Sequence, residues 1–126
     1  MKKKFFRIFL VFGVTLFVSV FQSCDKQHAK DLSGIYNCQV HYLYWDMMPT
    51  NKDSTYNEQL EVLQDGKYIN VLNYKIHIDS LWNGKEYYTG YIHDYFKVKF
   101  TNDSLYATRS SGGLGGNASW TYKGIK

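Results

Sequence analysis

From Leu32 onward, apolar and polar positions repeat every two residues. Tyr36, Cys38, Val40, Tyr42 and Tyr44 fall on one face of a first run. Asn37, Gln39 and His41, then Leu43 and Trp45, fall on the other. Successive side chains of a strand point to opposite faces, so this period predicts a half-buried strand. Asp46 to Asp53 breaks the pattern and contains the single proline, Pro49. Alternation resumes over 54–63 with Tyr56, Leu60 and Val62 on one side. Asp65-Gly66 predicts a two-residue hairpin turn, and Lys67 to Leu72 runs back. The apolar phase slips at Leu72-Asn73, which predicts a bulge or bend. Tyr74, Ile76 and Ile78 then alternate with Lys75, His77 and Asp79. Asn83-Gly84 predicts a second hairpin turn, 86–92 a strand, and His93-Asp94 a turn. Phe96, Val98 and Phe100 alternate with Lys97 and Lys99, and Thr101-Asn102-Asp103 turns that strand. Strands over 104–110 and 118–123 follow, with a glycine-rich loop at 111–117 between them. The expected fold is all-β: an antiparallel meander of about eight strands. Such a chain covers its edges by closing as a small barrel or by packing as a β-sandwich.

The N-terminal stretch follows a different rule. Lys2, Lys3, Lys4 and Arg7 precede an apolar run from Ile8 to Phe21. That run is shorter than the roughly 20 residues a helix needs to span a bilayer, and it fits the core of a secretory signal. It ends in Phe21-Gln22-Ser23-Cys24. This resembles the lipobox of bacterial lipoproteins, with a small residue, Ser23, before the Cys; Phe21 and Gln22 depart from the usual Leu and small residue. The resemblance implies diacylglyceryl (palmitate-bearing) attachment at Cys24 and cleavage between Ser23 and Cys24. It divides the chain into a signal helix over 1–23, a lipidated tether over 24–31 and one β domain over 32–126. The tether reading rests on Asp25 to Asp31 being polar, without apolar periodicity. The partner so implied is a membrane, reached through the lipid on Cys24. The implied location is the cell envelope, at the outer membrane of a Gram-negative bacterium.

Removing the signal changes the charge. The formal net charge is +4, from fifteen Lys and Arg against eleven Asp and Glu. Lys2, Lys3, Lys4 and Arg7 account for the whole excess, so residues 24–126 are neutral. Nucleic-acid binding needs a basic patch on the folded domain, and this composition gives it no support. All twelve Tyr and all three Trp lie after residue 24, with only Phe96 and Phe100 beside them. Aromatics with a polar tip suit half-buried β surfaces and binding faces. With Cys24 lipidated, Cys38 has no partner for an internal disulfide. Its place on the apolar face of a strand predicts a buried, inert thiol.

Leu32-Ser33-Gly34-Ile35-Tyr36 resembles the first strand of lipocalin-like barrels, where Gly-x-Trp stands; Tyr36 replaces the Trp. The chain is also similar to small β-rich lipoproteins of Gram-negative gut bacteria. The glycine loop lacks the following helix and Lys-Ser/Thr pair of a phosphate cradle. His28, His41, His77 and His93 show no metal-ligand spacing, and no nucleophile motif is present. No metal, cofactor or enzymatic activity is therefore expected. His77-x-Asp79 places two polar groups on one face of a strand. Ser54, Ser80 and Ser104 each follow an Asp. That pattern resembles the O-glycosylation sites of some Gram-negative gut bacteria, and Asp-Ser is also a common turn-to-strand junction. Tyr44, Trp45, Trp82 and Tyr88 are candidate binding aromatics. The expected function is a lipid-anchored binding module for a glycan or protein. The alternative is a lipocalin-like carrier of an apolar ligand, its interior lined by Tyr36, Val40, Tyr42, Phe96, Val98 and Phe100. Cys24→Ala is expected to abolish metabolic labelling with a radiolabelled fatty acid and to leave precursor or soluble protein; unchanged labelling would refute the anchor assignment.

Overall fold

The computed structural model describes residues 24–47 and 51–126. The signal segment, Ser23 included, and Pro49 lie outside the described residues. Residues 24–32 form a helix, α1. Eight strands follow: β1 (Gly34–Asp46), β2 (Lys52–Asp65), β3 (Tyr68–Val71), β4 (Tyr74–His77), β5 (Tyr87–Tyr91), β6 (Asp94–Thr101), β7 (Ser104–Gly113) and β8 (Gly116–Ile125). They make one antiparallel sheet in the order β4-β3-β2-β1-β8-β7-β6-β5. Every chain neighbour is paired except β4 and β5, and β1 pairs with β8. The meander is thus a barrel, nearly closed, with its seam between β4 and β5.

The inward faces follow the sequence pattern. Tyr36, Cys38 and Val40 of β1 are buried, as are Leu60, Val62, Ile69, Val71, Ile76, Phe96, Val98, Phe100, Leu105, Ala107 and Tyr122. Each large aliphatic or aromatic side chain in this set contributes about 1.5–3 kcal/mol by leaving water. The seam is filled by side chains rather than by backbone bonds. Tyr74 of β4 lies flat on Phe96 of β6, with centroids 4.1 Å apart and planes 4° apart. Tyr36 meets Phe100 edge-on across the interior at 5.9 Å.

The turns depart from the sequence reading in instructive ways. The first hairpin turns on Gly66-Lys67, one residue later than Asp65-Gly66, because Asp65 still pairs with Tyr68. Of the bulge or bend expected at Leu72-Asn73, the structure has the bend, a tight turn. Val71 pairs with Tyr74, and both turn residues have positive φ (48° and 71°), as a type I′ hairpin requires. Leucine rarely accepts that backbone; here its side chain packs on the core. Asn83-Gly84 has positive φ (58° and 69°) but joins no hairpin. It lies in the β4–β5 connection, beside two 3₁₀ turns at Ile78–Ser80 and Trp82–Gly84. The expected glycine loop at 111–117 is mostly strand, since Ser111, Gly112 and Gly113 pair with Ala118, Asn117 and Gly116. Only Leu114-Gly115 turns there. A side chain at Gly112 would meet the Gly116 carbonyl at 2.5 Å, so close backbone approach explains that glycine.

The polar stretch read as a tether is α1. Its Ala29 is fully buried and belongs to the core. The barrel holds the helix at one end. Gln64 Nε2 donates to the Lys26 carbonyl (2.9 Å), Lys126 Nζ to that of Asp31 (2.8 Å), and the Tyr36 hydroxyl to that of Leu32 (2.9 Å). Lys67 lies 3.8 Å from Asp25. By themselves the nine described residues, with one short apolar stripe, would be marginal as a free helix. Docking, which also occupies carbonyls near its C-terminal end, makes it a helix.

Two expectations follow. Gly124 lies under Cys38: an added Cβ would stand 2.5 Å from the thiol sulfur and 3.1 Å from Tyr36 Cβ. Gly124→Ala is expected to cost about 1–3 kcal/mol through overpacking, and a Cys38→Ala change in the same chain should return part of it, seen as non-additive urea midpoints. Burial pushes the phenols of Tyr36 and Tyr122 from 10.0 up to about 12. The folded state therefore holds these protons more tightly than the unfolded chain. That contribution to stability is complete below pH 10 and is lost as pH rises through 12. Urea midpoints measured against alkaline pH should fall in that window, and phenylalanine at either position should flatten the fall.

Candidate functional site

The four candidate aromatics do not share a surface. Trp45 is 54% exposed on the outer face of β1. With Leu43, Tyr44, Asp53, Asn117 and Ser119 it borders an open groove of about 540 Å³. The Asp46 carboxylate, which also hydrogen-bonds the phenol, pushes the Tyr44 pKa up. Trp82 is at the opposite end of the barrel. It stands edge-on to His28 of α1 at 4.0 Å, above a groove of about 310 Å³ that reaches Leu32, Leu81 and Phe100. Tyr88 is on the outer face of β5, stacked on Tyr95 at 5.7 Å. Tyr44 and Trp45 both border the first groove, but as successive strand residues they face opposite sides of β1, Trp45 outward and Tyr44 on the side of Tyr42.

The strand register assembles a different group. Val40 of β1 pairs with Tyr56 of β2 on one side and Tyr122 of β8 on the other. Tyr42 pairs with Ser54 and Trp120, and Trp120 with Arg109 of β7. Residues directly opposite in a ladder point to the same face. Val40 is buried in the core, so Tyr42, Tyr56, Trp120, Tyr122 and Arg109 lie on the inner wall. Tyr42 and Trp120 are 5.2 Å apart between centroids and tilted by 39°. The Arg109 guanidinium lies 5.5 Å over the Trp120 ring. Exposure grades upward from the core: Tyr122 is 6% exposed, Tyr42 and Trp120 are half-buried, and Tyr56 is 42% exposed.

This wall is open because β3 and β4 are four residues long. They cover β2 only over Leu63–Asp65. Above that level the wall of β2, β1, β8 and β7 has no strand beside Lys52–Val62 among the described residues. Charge is mixed here. Tyr56 is raised by burial, then by Glu58 and Tyr42. Tyr122 is raised by burial and Glu58, with Arg109 opposing. Arg109 makes no ion pair within 4.0 Å among the described residues. The arrangement offers ring faces, phenol hydroxyls, the cations Arg109 and Lys52 and the Glu58 carboxylate. It can stack on a ring-shaped ligand and bond its rim.

The remaining sequence candidates are dispersed. Cys24 is exposed in α1, and Cys38 is buried with its thiol aimed at the Tyr36 carbonyl (3.6 Å). Burial pushes the Cys38 thiol up, as expected of an inert position. Ser54, Ser80 and Ser104 are all exposed. Their settings differ: the third residue of β2, the end of a 3₁₀ turn, and the first residue of β7. Only Ser104 is the turn-to-strand junction that Asp-Ser suggests. His77 and Asp79 do not share a strand face. β4 ends at His77, whose Nδ1 accepts from the Asp79 amide (3.3 Å) and caps the 3₁₀ turn. His41 Nε2 meets Asp53 Oδ1 at 2.7 Å on the outer face. Among the described residues no three His, Cys, Asp or Glu side chains group as metal ligands. No helix among them is long and apolar enough to cross a membrane.

Trp120, Tyr56 and Arg109 were not singled out by the sequence reading. A signal was present. A closed meander pairs its last strand with its first, which sets the alternation of Trp120 and Tyr122 against that of Tyr42 and Val40. No family model, curated protein or solved structure matches the chain.

Proposed function

We propose that this chain is a binding module of the cell envelope, held to the outer membrane by lipid on Cys24, with the open inner wall receiving a glycan. The observation that carries this is the Tyr42–Trp120–Arg109 stack on a half-exposed wall. A sugar ring presents C–H faces to aromatic rings and hydroxyls to charged groups, and this wall has both complements. The module binds and does not turn over its ligand. The carrier reading has less support. Five of its six expected lining residues, Tyr36, Val40, Phe96, Val98 and Phe100, are at most 4% exposed and belong to one packed cluster. The exposed Ser54, Ser80 and Ser104 stay available as acceptors of sugar on the module itself.

A glycan array probed with the chain is expected to return a limited set of sugars. Trp120→Ala should weaken the best of them about 30-fold, the loss typical of a central aromatic anchor. Trp82→Ala and Tyr88→Ala, far from the wall, should bind as wild type. Equal binding by Trp120→Ala would remove the wall from the reading, and capture of a protein with no sugar bound would replace the glycan by a protein partner.

A further inference from the structure

The edge of β2 is the longest uncovered feature of the sheet. Lys52–Val62 pairs with β1 in an unbroken register, from Tyr44↔Lys52 to Gly34↔Val62. On its other side no strand lies among the described residues. Natural sheets guard such edges with short strands, bulges, proline, or charged side chains, some of them pointing inward. This stretch has no proline and no bulge; its guards are charges, Lys52, Asp53, Glu58 and Glu61, of which Lys52 and Glu58 lie on the inner face, and a partner strand must match them. The outer edge of β5 is also unpaired, but it is only five residues long and is distorted at Gly90 (φ 116°).

We propose that this edge takes a second copy of the chain, β2 against β2, antiparallel about Thr55. Charge selects the occupant and the register. A two-fold axis through the sheet keeps inner residues opposite inner residues, so the axis must pass through a residue. Centred on Thr55, Lys52 faces Glu58 twice, Asp53 faces Asn57 and Ser54 faces Tyr56. Centred on Asn57, Asp53 faces Glu61, a like-charge pair. Centred on Glu58, two carboxylates meet directly. Centres at Ser54 and Tyr56 bring no opposite charges together. Of these, only the Thr55 register brings opposite charges together and sets no like charges opposite each other over residues 52–58. Lys52 and Glu58 suit the role, since neither makes an ion pair within 4.0 Å among the described residues. Asp53 is already engaged by His41. In this arrangement the two inner walls lie on the same side of one continuous sheet. Two copies then present a doubled aromatic surface. The pairing engages Glu58 and Tyr56 at the border of the wall, so it adjoins the ligand face whatever that face binds.

Disulfide trapping of the full chain in membranes tests the register. Two Thr55 residues on the axis would have Cα atoms within disulfide range, roughly 4.4–6.8 Å. Thr55→Cys under mild oxidant is expected to give a covalent dimer. Gln59→Cys, which the register places about 27 Å from its counterpart at ~3.4 Å per residue, is not. Adding Lys52→Glu to Thr55→Cys should lower the trapped fraction about tenfold, and adding Glu58→Lys as well should restore it. The unmodified chain reports any background from Cys24 and Cys38. Circular dichroism of each variant checks that the sheet is intact. A monomeric Thr55→Cys with an intact sheet overturns the proposal. So does equal trapping through Gln59→Cys, which would mean random collision.

Discussion

A mismatch in strand length governs what this barrel exposes. β1, β2, β7 and β8 run ten to fourteen residues, while β3 and β4 run four. A meander closes only as high as its shortest neighbours reach. Below that level the interior is a packed core, sealed at the β4–β5 seam by Tyr74 on Phe96. Above it the long strands continue as an open wall. The same mismatch leaves the β2 edge unpaired and leaves Tyr42, Tyr56 and Trp120 only partly covered. Site and edge are two consequences of one geometric fact.

Most of the fold was legible because its signal is local. Inward positions of β1, β6 and β8 alternate, and the structure buries Tyr36, Cys38, Val40, Phe96, Val98, Phe100 and Tyr122. What escaped the sequence depends on tertiary contact. Leu72-Asn73 carries none of the usual glycine signature, yet it turns, because the register of β3 on β4 and the seat of Leu72 on the core offset the strain. Residues 24–32 have almost no apolar stripe, and their helix exists because Gln64, Tyr36 and Lys126 hold it. Gly112 and Gly116 look like a loop by composition, and they are strand residues where backbones crowd.

The candidate site was legible only in part for a related reason. Exposure of an aromatic ring can be guessed from alternation, but its neighbours cannot. Tyr44, Trp45, Trp82 and Tyr88 each occupy exposed or half-buried positions, spread over both ends and two faces of the barrel. The group that does converge is set by the β1–β8 closure and the β7–β8 register. Those pairings join residues 42, 109 and 120, far apart in the chain. A single aromatic-rich stretch therefore says less about a site than knowing which strand lies beside which.

The molecule also has a direction. α1 caps the end where β1 begins, and Cys24 is its first described residue. The open wall is at the end where β1 finishes. Thirteen residues of β1 span about 40 Å at ~3.3 Å each, less where the strand tilts. Under the proposed anchor, lipid and wall occupy opposite ends of one rigid body. The polar stretch that separates them is folded onto the barrel, so it sets orientation as well as distance. A flexible tether would let the wall face the bilayer as often as the solvent. Under that anchor, a docked helix would hold the capped end toward the lipid and turn the aromatic wall, with the β2 edge beside it, away from the membrane.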